Sequence, residues 1–165
     1  MIFRWRRIAA SLLIFVIPCA QAESFEGVVT HVSDGDTVWV RPASGEAPRS
    51  VRLEGIDAPE VCQTFGTQSR DALAKRILHR HVTVTTSTND VYHRAVGQVR
   101  LGSADMAGWM VGRGYAWSSE FRGHKGPYAR QEVRARKARL GLWHEDNPTA
   151  PREFRKAQGS CSPAH

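Results

Sequence analysis

A mainly β fold with helices is predicted: five strands curled into a small barrel, with about three α-helices packed on it. Three observations lead there. Short β-branched runs separated by turn residues extend from Phe25 to Leu101, a helical period interrupts them once after the third run, and two more helical segments follow the last strand. At 165 residues the chain has room for one core and one domain.

The first two strands are "FEGVVTHV" and "TVWVRP", joined by "SDGD", an Asp-Gly turn of the kind that closes hairpins. The segment "PASGEAP" leads to a third strand, "RSVRLEGI". In "TQSRDALAKRILHRH" the apolar Leu73, Ile77 and Leu78 recur at helical spacing between basic residues. "VTVTTS" and "RAVGQVRL" supply the fourth and fifth strands. Ser103 is placed to cap a helix over "ADMAGWMVGR", with Gly114 ending it, and "GPYARQEVRARKARL" reads as a last helix stopped by Gly141. The tail from Gly141 is rich in Pro and polar residues and reads as irregular, anchored by Trp143 and Phe154. Five short strands with a helix after the third describe a five-stranded OB-type β-barrel, although a generic α+β sandwich gives a similar string.

The first 22 residues differ in kind. Arg4, Arg6 and Arg7 precede an apolar run from Ile8 to Ile17, and Ala20-Gln21-Ala22 offers a small-x-small cleavage site. That is the pattern of a secretory signal peptide over 1–22, the alternatives being an uncleaved anchor or lipid attachment at Cys19. The expected division is therefore 1–22 signal peptide, 23–155 barrel domain and 156–165 tail, in a periplasmic or secreted monomer with no stable membrane association. The formal charge of +7 falls by the three arginines of 1–22 to +4. A basic exported chain suits a polyanionic partner, and equally a surface charged for solubility. Cys62 and Cys161 remain as an even pair, readable as a disulfide in an oxidising compartment; no C-x-x-C spacing suggests a metal site.

The acids cluster at strand ends. Asp34 and Asp36 flank Gly35 in the hairpin, and Asp57 and Glu60 follow the third strand. If those strands pair, Asp36 and Asp57 meet, and two carboxylates in contact call for a cation or a proton. Oxygen ligands without Cys or paired His favour a hard ion, calcium or magnesium, over zinc, with calcium the better candidate outside the cytoplasm. The plainer alternative is that the acids serve turns and solvation. Arg52 alternates with Val51 and Leu53, so it points away from the core, and Arg94 starts the fifth strand. Their planar forks suit phosphate oxygens, while surface ion pairs with Glu54 or Asp90 are the alternative. His79 and His81 read as solvated residues at a helix-to-strand junction, and the basic run from Arg130 to Arg139 as the wet face of an amphipathic helix.

Together, "DGDT" at 34–37, "RLEGIDAPE" at 52–60 and "YHR" at 92–94 occur in an order and spacing that resembles the staphylococcal nuclease family, and "LGLWHEDNP" followed by "PREFR" is similar to the end of its secreted bacterial members. The resemblance spans residues 25–155. It implies an OB-type barrel that hydrolyses DNA and RNA with calcium to leave 3′-phosphate ends. It implies Asp36, Asp57 and the main-chain carbonyl of Ala58 as calcium ligands, and Arg52 and Arg94 on the scissile phosphate. Glu60 would orient or deprotonate the attacking water, and Tyr92 would contact a neighbouring phosphate. His93 stands where the family has glycine, and "YAWSSEFRG" lacks paired tyrosines, leaving Tyr115 or Phe121 as candidates for base stacking. The family's type member has no cysteines, so the Cys62–Cys161 pair is a departure. The rival function is a noncatalytic nucleic-acid-binding barrel. It would have no use for Glu60.

Overall fold

The computed structural model describes residues 23–90, 94–120 and 123–161. Residues 1–22 and 91–93 lie outside the described residues, as do Phe121, Arg122 and 162–165. The expected signal segment, Tyr92, His93 and the stacking candidate Phe121 fall among these. In chain order the elements are β1 (Glu23–Asp34), β2 (Thr37–Pro42), β3 (Arg49–Leu53), β4 (Ile56–Asp57), α1 (Gly66–Ile77), β5 (His81–Asn89), β6 (Ala95–Leu101), β7 (Ala104–Asp105), α2 (Met106–Gly112), β8 (Trp117–Ser118), α3 (Ala129–Lys137), a 3-10 turn (Gly141–His144) and α4 (Pro151–Gln158).

Five strands form the expected barrel, in the order β3-β2-β1-β5-β6. Its antiparallel neighbours are closed by one parallel pairing, with Val51 of β3 opposite Ala95 of β6 and Leu53 opposite Gly97. Alternation decides what fills it. On β2, Val38 and Val40 are buried while Trp39 and Arg41 face out, and on β3 Val51 and Leu53 are buried on either side of Arg52. Val29, Val84 and Val99 complete this interior.

The helix α1 covers one end of the barrel through Leu73 and Ile77, both fully buried. Leu73→Ala is expected to cost roughly 3 kcal/mol of unfolding free energy, because the cavity left in a barrel of β-branched residues collapses poorly. Urea unfolding would measure it, and a loss below about 1 kcal/mol would contradict this packing.

The structure corrects four expectations. The third strand does not run on to Ile56: it stops at Leu53, and Gly55, with φ +78°, turns the chain so that β4 pairs with β8 instead. The α2 cap is Asp105, whose Oδ2 accepts the Gly108 N–H at 3.3 Å, and not Ser103. Pairing of β7 with the end of β6 carries the chain past Ser103 to that cap. The helix α3 is shorter than its periodic pattern. Finally, the tail holds a fourth helix, α4, which runs across residue 155.

Of the tail anchors, Trp143 is buried with Ala135 and Leu142, whereas Phe154 is half-buried. Cys62 and Cys161 form the expected disulfide, with Cα atoms 5.9 Å apart. It ties the end of α4 to the loop after β4.

Candidate active site

A cleft of about 910 Å3 opens at the mouth of the barrel, lined by Asp34, Asp36, Arg52, Glu60, Arg94 and Arg155 among others. The β1–β2 hairpin delivers its first carboxylate. A Cβ on Gly35 would lie 2.0 Å from Ser69 Oγ and 2.7 Å from Ala58 Cβ, so only glycine lets the turn press this closely on α1 and on the segment after β4. Close approach puts Asp36 beside that segment. Its Oδ2 accepts the Ala58 N–H at 3.0 Å, and its Oδ1 accepts the Thr37 hydroxyl at 3.0 Å. Asp36 is 3% exposed. Asp34 also serves the turn, accepting the Asp36 N–H at 2.9 Å. Enclosure, and then the neighbouring Asp36 carboxylate, push the Asp34 carboxyl up to about 7.

Arg52 joins the two halves of the site. Its Nη1 donates to Asp36 Oδ1 at 2.6 Å, and its Nη2 donates to Asp57 Oδ1 at 3.1 Å and to the Ile56 carbonyl at 3.4 Å. The strand pairing thus brings Asp36 and Asp57 onto one guanidinium. Burial lowers the pKa of Arg52, but the carboxylates of Asp36, Asp57 and Asp34 outweigh it and raise the value. Its partner is not Glu54, which is exposed at the turn.

Arg94 reaches the same cleft from the start of β6. Its Nε and Nη2 bind Asp90 Oδ2 at 2.8 and 2.7 Å, and its Nη1 donates to Thr37 Oγ1 at 3.4 Å. The pairing with Asp90 and the place in the cleft are therefore compatible, with Thr37 linking Arg94 to Asp36.

Glu60 sits on the loop after β4. Its N–H donates to Gln63 Oε1 at 3.2 Å and its carbonyl accepts the Gln63 N–H at 2.8 Å, while Gln63 Nε2 donates to the Thr149 carbonyl at 2.7 Å. Its side chain meets a residue that sequence reasoning missed. Arg155 of α4 donates from Nη1 to Glu60 Oε1 at 2.8 Å, and from Nη2 to Asp57 Oδ2 at 3.0 Å. Burial lowers the Arg155 pKa, but its bonds to Asp57 and Glu60 prevail and raise it. The available signal was Pro151 at the first turn with Glu153 behind it, a helix start inside a tail that reads as irregular.

Of the two stacking candidates, Phe121 lies outside the described residues, and Trp39, an aromatic that sequence reasoning did not propose, stands at the cleft where Tyr115 does not. Tyr115 is stacked between Phe65 and Trp109, with ring centroids 6.0 and 5.8 Å away, and does not line the cleft. Trp39 does line it, 40% exposed, with its Nε1 donating to Ser33 Oγ at 3.2 Å.

Among the described residues no group of three or more His, Cys, Asp or Glu forms a protein cage for a metal. The donors at the cleft are instead two carboxylates on one guanidinium, with Ala58 following Asp57 in the chain. Such a hard, sparse oxygen set fits a cation that keeps most of its water or takes substrate oxygens, and does not fit zinc.

Comparison with known proteins agrees with this fold. Residues 50–145 match the family described as staphylococcal nuclease homologue. The chain is 35% identical over 161 residues to the protein ParB of Escherichia coli, covering 91% of this chain and 90% of that protein. It is 33% identical over 168 residues to a micrococcal nuclease of Shigella flexneri, covering 95% of each. With the probable staphylococcal-like nuclease CAN4 of rice it shares 32% identity over 161 residues, covering 98% of this chain but only 30% of the plant protein.

Proposed function

The chain belongs to the staphylococcal nuclease homologue family, and on that premise we propose that it is a calcium-dependent nuclease hydrolysing DNA and RNA to leave 3′-phosphate ends. The observation that carries this reading is the Arg52 fork between Asp36 and Asp57, with Glu60 and Arg94 facing the same cleft. Bound calcium would be held by Asp36, Asp57 and the Ala58 carbonyl, and would supply positive charge beside the phosphate. Arg52 and Arg94 would exchange carboxylate partners for non-bridging phosphate oxygens, which their planar forks bind equally well. Tyr92 would hold a neighbouring phosphate.

Glu60 would take the proton of a water whose oxygen attacks phosphorus. The bond from phosphorus to the 5′-oxygen then breaks; Arg94 would donate a hydrogen bond to the negative charge on that departing oxygen, which takes a proton from solvent water and leaves as the 5′-hydroxyl. Breaking this bond leaves the phosphate on the 3′ side. The expected signal segment and the Cys62–Cys161 disulfide support action in an oxidising compartment, periplasmic or extracellular.

Single-stranded DNA and RNA incubated with the purified protein at millimolar calcium should be cut, and a calcium chelator should stop it. Well-folded protein that binds both polymers yet cuts neither would overturn the enzyme reading in favour of a binding barrel.

A further inference from the structure

Two of the arginines in the cleft come from the barrel, but the third comes from the end of the chain. The helix α4 is held at both of its ends by the loop that carries Glu60. Before it, the Thr149 carbonyl accepts Gln63 Nε2 at 2.7 Å; beyond it, Cys161 is bonded to Cys62. Cys62 and Gln63 lie two and three residues after Glu60. Between these two anchors Arg155 faces inward, bonded to Glu60 at 2.8 Å and to both oxygens of Asp57 at 3.0 and 3.2 Å. The cleft wall includes Ser160 and Cys161 themselves.

We infer that Arg155 is a positioning residue for the nuclease reaction, fixing the Glu60 carboxylate beside Asp57, and that the Cys62–Cys161 disulfide makes this positioning, and so full turnover, depend on an oxidised chain. The inference rests on the nuclease function proposed for this cleft. A glutamate on a surface loop has several rotamers open to it, whereas one whose oxygen is held by a guanidinium has few. Opening the disulfide would remove one of the two anchors that flank Arg155, leaving the Thr149 contact and the Arg155 ion pairs themselves to hold α4, so Arg155 would spend less time on Glu60. Arg155 does not touch the phosphate in this role. It acts through Glu60.

The test compares the whole protein, oxidised and after dithiothreitol, with Arg155→Ala, Arg155→Lys, Cys161→Ser and the Arg155→Ala/Cys161→Ser pair, using Lys156→Ala on the exposed side of α4 as control. Loss of a residue that orients a reacting group lowers activity by about 10-fold to 100-fold, and that is expected in kcat for Arg155→Ala, with KM within threefold and partial recovery in Arg155→Lys. Reduction and Cys161→Ser should each give part of the same loss, and Cys161→Ser should add little on the Arg155→Ala background, since both act through one contact. Calorimetric titration with calcium chloride provides a readout other than turnover. Removing a cation from Asp57 should tighten calcium binding by about threefold to tenfold, the opposite of what a loosened fold would give.

If the wild-type protein does not cut nucleic acid, the nuclease reading fails and this inference with it. If the wild type cuts, the inference alone is overturned by unchanged or raised kcat in Arg155→Ala, by a loss confined to KM, by weaker calcium binding, or by equal activity before and after reduction.

Discussion

Glu60→Gln is expected to lower kcat by about a thousandfold, the middle of the range for losing a general base, with KM changed little. The substitution keeps the shape of the side chain and one oxygen to accept from Arg155 Nη1, so the loop keeps its Gln63 and disulfide anchors. What it removes is the group that accepts the proton. Asp57 cannot replace it, because in the proposed reaction it would hold calcium while both its oxygens stay bonded to Arg155. Asp36 is buried, bonded to Thr37 and the Ala58 amide, and would likewise be on the calcium. Single-turnover cleavage at saturating calcium, with circular dichroism to check the fold, measures the effect. A loss under tenfold would mean that the attacking water is activated without Glu60.

How much of this was legible in the sequence depends on how local the cause is. Alternation placed Val51 and Leu53 in the core, and that alone turned Arg52 toward the site. The Asp-Gly turn and the acids after β3 were readable for the same reason, since each is set within a few residues. Glu54-Gly55 was not, because β4 leaves the barrel to pair with β8, some sixty residues later in the chain. Tyr115 is half-buried against the core by stacking on Phe65 and Trp109, contacts that no local pattern announces. Arg155 was hidden most deeply. The short helix α4 draws its place from the Thr149 contact and the disulfide, both long-range, so a polar tail was all that propensity could report.

The expectation with the largest structural consequence concerns Arg52. Arg52→Met should destabilise the fold by about 4 kcal/mol, as breaking one side of a buried ion pair does, and should abolish cleavage. The cost arises at Asp36. Its side chain is 4% exposed and would keep only the Thr37 hydroxyl and the Ala58 amide, with the Asp34 and Asp57 carboxylates nearby and no cation between them. Adding Asp36→Asn should recover much of that stability without recovering activity, since the orphaned charge is gone but the phosphate grip is not restored. Calcium should discriminate further. If Asp36 and Asp57 are its ligands, Arg52→Met frees them to bind it, and millimolar calcium should raise the melting temperature of this variant more than that of the wild type. Equal stabilisation of both by calcium would place the cation elsewhere. A stability loss below about 1 kcal/mol would show that the Arg52 bridge is no stronger than an exposed ion pair.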